Sequence, residues 1–266
     1  MTALTWAQIE YRESSLRVLS SMLMLLLSIR NTMNAAKLLY AIRRPIFMLN
    51  LVQSAVAIVA LCFSVAHQLW PRDISCFFVG NINVTVITIG VPAISTILLV
   101  EAYHSTNQSM WIRMAGIGFV SCYVAIGIAG YFSMDMLAFG ITQCDFRVTN
   151  LWIIQRCALD FCFNAMLVYC FGTVITKECR TFNRSLRCTI VRDGLIYAVC
   201  VVFSNLLCAL CILLSREAHH WEMHIYGADY CVASTLICVH LQSARKRYTR
   251  RVEEMRVIGA LTPRAP

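Results

Sequence analysis

The stretch "RRPIFMLNLVQSAVAIVALCFSVAHQLW", residues 43–70, decides the fold. Two arginines open it, a tryptophan closes it, and residues 46–66 carry no charged side chain. A helix needs about 20 residues to cross ~30 Å of hydrocarbon. The block is therefore long enough to span a bilayer. Arg43 and Arg44 then mark one face, and Trp70, an apolar ring with a single polar N–H, marks the other.

The same pattern repeats along the chain. Of 266 residues, 59% are hydrophobic and only 14% are charged, and the mean hydropathy is +0.65. A soluble domain of this length needs more polar surface. The apolar blocks predict spans at 16–42, 46–66, 77–104, 112–132, 151–176, 194–215 and 225–243. Arg30, Asn31, Asn34 and Lys37 interrupt the first of them. A secretory signal peptide is the alternative reading there, and the acidic residues and missing small-residue cleavage site argue against it. Trp70, Trp111, Trp152 and Trp221 all fall at span edges, where a bilayer favours them.

Basic residues set the expected orientation. With the N-terminus outside, Lys and Arg of the inner loops and tail outnumber those outside by about three to one. This bias holds most of the +9 net charge, so nucleic-acid binding is not needed to explain it. The expected fold class is all-α, an integral membrane seven-transmembrane-helix bundle. Residues 1–15 form an extracellular N-terminus, 16–243 the transmembrane domain, and 244–266 a cytoplasmic amphipathic helix and tail. In that tail Tyr248, Val252 and Met255 share one helical face among basic residues, the pattern of a helix lying on an anionic inner leaflet.

"TIVRDGLIYAVCVV", residues 189–202, is the inner entry to the sixth span. Arg192 can reach lipid phosphates, and Asp193 can accept from the unpaired N–H groups of a first helical turn. The sharper reading makes Arg192 and Asp193 part of a cytoplasmic switch. Most of the 14 cysteines lie inside spans, where they act as small apolar residues. Cys76 and Cys144 alone fall in outer loops. The outside is oxidising, so a Cys76–Cys144 disulfide is expected; two separate thiols are the alternative.

This arrangement resembles the rhodopsin-like G-protein-coupled receptors, which also bridge the top of helix three to the second outer loop. Trp70 in a short first outer loop, a long third span and "EAY" at 101–103, about 25 residues after Cys76, are similar too. "RRPIFMLNLVQSA" is similar to the family's first inner loop and second helix. The resemblance makes Glu101 and Tyr103 candidates for cytoplasmic coupling, with a G protein as the implied partner. Ala102 stands where the family has Arg, Ala55 about where it has Asp, and the last three spans hold no proline. Locally closer is a second resemblance. "LDFCFNAMLVY" at 159–169, "VRDGLIYAVCVVFSNLL" at 191–207 and "ASTLICVHLQSAR" at 233–245 resemble uncharacterised fungal seven-transmembrane proteins that carry a similar Arg-Asp-Gly-x-x-Tyr. That similarity implies a receptor-like protein and names no ligand.

Polar residues within the spans are the site candidates. Arg156, Asp160 and Asn164 recur every four residues, so they share one helix face. A charge there is expensive and must face the bundle interior. A structural ion pair, the floor of a ligand pocket and a proton or ion path all fit. Asn83 and Thr88 in span three, Asn205 in span six and Asp229 in span seven can converge on the same place. In span four Ser121, Ala125 and Ala129 form a small-residue stripe suited to close helix packing. No catalytic set stands out, so no enzyme and no cofactor is expected. His219, His220, Glu222 and His224 read as a solvated loop before a metal site, and no metal is expected. Span seven has no Lys for a retinal Schiff base.

The leading expectation is a plasma-membrane, receptor-like protein that senses an outer small-molecule or peptide ligand. The rival is a small-solute transporter or channel. A tag placed after Pro266 tests the orientation: antibody should reach it in permeabilised cells and not in intact ones. Staining of intact cells reverses the topology.

Overall fold

The computed structural model describes residues 6–106, 108–139, 143–181, 186–214 and 221–261. They form α1 (Trp6–Ala41), α2 (Pro45–Leu69), α3 (Cys76–Thr85), a π-helical turn (Val86–Gly90), α4 (Val91–Ser105), α5 (Met110–Ser133), β1 (Met134–Phe139), β2 (Gln143–Val148), α6 (Asn150–Thr181), α7 (Leu186–Leu214) and α8 (Glu222–Leu261). α3, the π turn and α4 are one continuous rod, called here the third rod.

Among the described residues, five stretches are long and apolar enough to cross a membrane: Tyr11–Ala41, Pro45–Leu69, Cys76–Ser105, Met110–Ser133 and Asn150–Val174. α7 carries a further apolar stretch, Val199–Ile212, within a helix of 29 residues that at ~1.5 Å per residue is about 43 Å long. Large apolar side chains face outward along these rods, among them Leu19, Leu23 and Leu26 on α1 and Phe161 on α6. An apolar exterior around a helical interior is what lipid tails solvate. The chain is a multi-pass helical membrane protein.

Local chemistry fixes the ends of the helices. Pro45 sits in the first turn of α2, where its missing N–H costs nothing, and Arg44 before it is extended. α2 stops at Leu69 because Pro71 cannot continue the backbone ladder. Ser75 caps α3, accepting from the Phe78 N–H at 3.3 Å. His67 Nδ1 lies 2.7 Å from the Ile74 carbonyl and holds the short 70–75 connection against α2.

The helices close into a ring. α1 packs on α2 and α8, α8 on α7, α7 on α6, α6 on α5, and α5 on the third rod, which also meets α2. α4 further contacts α6, α7 and α8, so the third rod runs through the middle. Between lipid-solvated helices there is little hydrophobic drive to associate; packing and interhelical hydrogen bonds hold them. Tyr230 on α8 donates to the Gln53 carbonyl of α2 at 2.8 Å. Asn31 on α1 donates to Thr235 on α8 at 2.9 Å. Trp152 on α6 donates to the Ile126 carbonyl of α5 at 2.9 Å. Bonds of this kind contribute about 0.6–2 kcal/mol each in membranes.

Pro92 shapes the third rod. It has no N–H for the Thr88 carbonyl, and its ring crowds that oxygen. The helix widens into the π turn Val86–Gly90 just before it. α5 meets this turn through glycine: a Cβ on Gly127 would lie 2.7 Å from Thr88 Cα, and one on Gly116 would overlap Leu99.

Two expectations are corrected, and a third element is extended. The buried residues of α5 are Gly116, Tyr123, Gly127 and Gly130, whereas Ser121 and Ala125 face outward; the small-residue stripe is made of glycines a fraction of a turn away. Residues 134–148, expected as a loop, carry an antiparallel hairpin in which Ala138 pairs with Cys144. The amphipathic helix expected from 244 onward is the unbroken continuation of α8.

Gly127→Ala should lower the melting temperature of the detergent-solubilised chain, by about 1–3 kcal/mol of overpacking, since Thr88 backbone cannot yield. Gly118→Ala, whose Cβ meets nothing within 4 Å, should be neutral or stabilising through helix propensity. Equal melting of the two variants would contradict this packing.

Candidate functional site

A cavity of about 540 Å³ lies between the third rod, α2, α5, α6, α7 and α8. Its lining comes from 57–61 of α2, 83–98 of the third rod, 152–164 of α6, 201–210 of α7 and 226–233 of α8. On α6 and α8 these are the first turns, and on α7 they are the later ones. The cavity therefore occupies the half of the bundle that carries the β hairpin. Toward the opposite end the core is filled by Leu38, Phe47, Ala102, Phe171, Ile237 and Leu241.

The walls are apolar, and the polar groups form two linked clusters. In the first, Arg156 Nε donates to Asp160 Oδ2 at 3.0 Å across one turn of α6. Tyr123 on α5 donates to the other carboxylate oxygen at 2.9 Å, and the guanidinium stands 4.8 Å from the centroid of its ring. Arg156 is 8% exposed, and its Nη1 is buried with no hydrogen-bond partner. In the second cluster, the Asn205 amide nitrogen turns to Asp229, as its neighbours require. It donates to Asp229 Oδ2 at 2.9 Å, while its oxygen accepts from Asn164 at 3.2 Å. Ser204 donates to Asp229 Oδ1 at 2.5 Å. Asn164 belongs to the same face of α6 as Arg156 and Asp160, so the two clusters join α5, α6, α7 and α8.

Six of the candidates, Asn83, Arg156, Asp160, Asn164, Asn205 and Asp229, line this one cavity. Thr88 does not. Its hydroxyl donates back to the Val84 carbonyl at 2.8 Å, and its backbone faces Gly127, because the π turn rotates it toward α5. Tyr123 and Ser204 were missed. A tyrosine in mid-span must find a partner for its hydroxyl, and that signal was available at Tyr123.

The coupling candidates separate. Glu101 turns inward and meets His240 of α8 at 2.7 Å, with the Tyr197 ring of α7 tilted against that imidazole, centroids 4.9 Å apart. Tyr103 packs edge-on against its neighbour His104. Arg192 and Asp193 lie on α7, but their side chains fall outside the described residues. Cys76 is disulfide-bonded; the side chain of Cys144 likewise falls outside the described residues. Of the histidine cluster, 219 and 220 fall outside them too, and His224 packs on Trp221. Among the described residues no three metal-ligating side chains gather.

Membrane-spanning helices around a lined cavity define the class, a multi-pass membrane protein with a buried polar site. Compared with known proteins, the chain matches no protein-family model and no curated sequence.

Asp160→Ala leaves the Arg156 charge buried and unpaired, which should cost about 3–5 kcal/mol of stability. Asp160→Asn keeps an acceptor for Tyr123 and should cost less. Replacing both, Arg156→Met with Asp160→Leu, should recover most of the loss, since apolar packing substitutes for a buried pair. Unfolding in detergent reads all three; a stable Asp160→Ala variant means the pair is not structural.

Proposed function

We propose that this chain is a non-enzymatic, receptor-like seven-helix protein. Its N-terminus and hairpin lie outside the cell, and its cavity takes a small outer ligand. The observation that carries this reading is the asymmetry of the bundle: a cavity in the hairpin half and a packed core in the other. A sensor needs a site reached from one side and a closed interior on the other. The Glu101–His240 contact supports it, since it ties the third rod to α8 on the closed side, where movement of α7 and α8 would be transmitted. The resemblance to rhodopsin-like receptors and to the fungal seven-transmembrane proteins points the same way. A disulfide from Cys76 to Cys144 would anchor the hairpin beside the cavity: Cys76 begins the third rod, and β1 packs on α3. A cytoplasmic partner, of which a G protein is one form, would bind at the inner ends of the third rod and α7, near Tyr103, Arg192 and Asp193.

The rival transporter must open its site to both sides in turn. Asn83→Cys separates the two. A small membrane-impermeant thiol reagent should modify it in intact cells, and the same reagent should leave it untouched in inside-out vesicles. Modification from the tail side refutes the one-sided cavity and favours transport.

A further inference from the structure

Resting on the receptor-like reading, we propose that the cavity binds a cationic amphiphile, with its ammonium group on Asp229 and its apolar body along the walls. The charges of the cavity lead there. Its lining holds one guanidinium, Arg156, and two carboxylates, Asp160 and Asp229. Arg156 is committed to Asp160, whose second oxygen is taken by Tyr123. Among the described residues the groups that hydrogen-bond Asp229 are all neutral: Ser204, Asn205 and the Cys208 thiol. Among the described residues no Lys, Arg or His pairs with it. One negative charge is left uncompensated in a low-dielectric space, and a cation relieves that cost.

A second, independent feature also points to a ligand. Arg156 Nη1 is buried in the cavity lining with its N–H unsatisfied, so an acceptor oxygen on the ligand completes it. A further carboxylate would satisfy that donor only by adding a third negative charge. A neutral acceptor does so without repulsion. The wall between α6 and α7 supplies the rest of the preference. Ile154, Phe161, Leu206 and Leu210 line the cavity and are also exposed on the outside of the bundle. An amphiphile dissolved in the bilayer meets the cavity at that seam, its apolar part on these side chains. A volume of about 540 Å³ suits a molecule of ordinary drug size.

Three probes of one shape test this: 4-phenoxybutylamine, 4-phenoxybutanol and 4-phenoxybutyrate. All carry the ether acceptor, and only the head-group charge differs. Binding is measured on the full chain in lipid nanodiscs at neutral pH, with empty nanodiscs subtracted. The amine should bind saturably and at least about tenfold tighter than the alcohol, with the butyrate weakest. Asp229→Asn, which keeps the side-chain shape, should remove the preference for the amine over the alcohol. Equal binding of amine and alcohol would mean that a proton neutralises Asp229 and overturns the proposal. So would a preference for the butyrate, or an amine preference that survives in Asp229→Asn. In those cases a saturable alcohol or butyrate site still supports the cavity as a ligand site. If no probe binds saturably, the ligand-site reading falls together with the amine.

Discussion

A polar group inside hydrocarbon has only another part of the protein to bond to, and this bundle is arranged around that constraint. Several helices that carry a polar side chain toward the interior meet a complementary one there. Asn31 of α1 finds Thr235, Gln53 of α2 finds Tyr230, and Asp160 of α6 finds Tyr123 and Arg156. These bonds choose which faces meet, because apolar packing alone scarcely distinguishes one face of such a helix from another. The ring from α1 to α8 is closed by polar contacts running from α1 and α2 to α8, some two hundred residues later in the chain for the Asn31–Thr235 bond.

The third rod divides the interior. Pro92 forces a π turn, and the turn redirects the residues before it relative to those after it. Thr88 is rotated into the glycine-lined face of α5, while Asn83 stays on the cavity. After the turn, Val91, Ile94, Ser95 and Leu98 still line the cavity, and Ala102 packs into the core with Phe171 and Ile237. The turn thus lies within the stretch of the rod that walls the cavity. The Arg156–Asp160–Tyr123 cluster lines the same cavity, where an occupant and the packing of α5 and α6 can influence each other.

Much of the architecture was legible in the sequence because bilayer thickness imposes a length on every span and a cost on every charge. The apolar blocks gave helices close to their expected places, and the four-residue spacing of Arg156, Asp160 and Asn164 put them on one buried face before any contact was known. What failed did so for local geometric reasons. The stripe at Ser121, Ala125 and Ala129 met the contact face of α5 only at Ala129, which packs against the Val84–Trp152 cluster, since four-residue periodicity alone cannot say which side of a mostly apolar helix turns inward. Thr88 was misplaced because a π turn adds a residue to one turn of the helix and shifts the face of everything near it.

The sequence by itself determined that this chain is helical, apolar and built to pass through a membrane several times, and it picked out the charged face of α6. Those properties follow from composition and spacing, which act over a few turns. Only the tertiary structure decided that Asn83, Arg156, Asp160, Asn164, Asn205 and Asp229 share one cavity, that Tyr123 lines it too and Ser204 bonds Asp229, and that Glu101 is taken up by His240. Those pairings depend on how each rod is rotated about its own axis. That rotation is settled by contacts between residues far apart in sequence, such as Gly127 against Thr88 and Tyr230 against Gln53, and no local pattern records it.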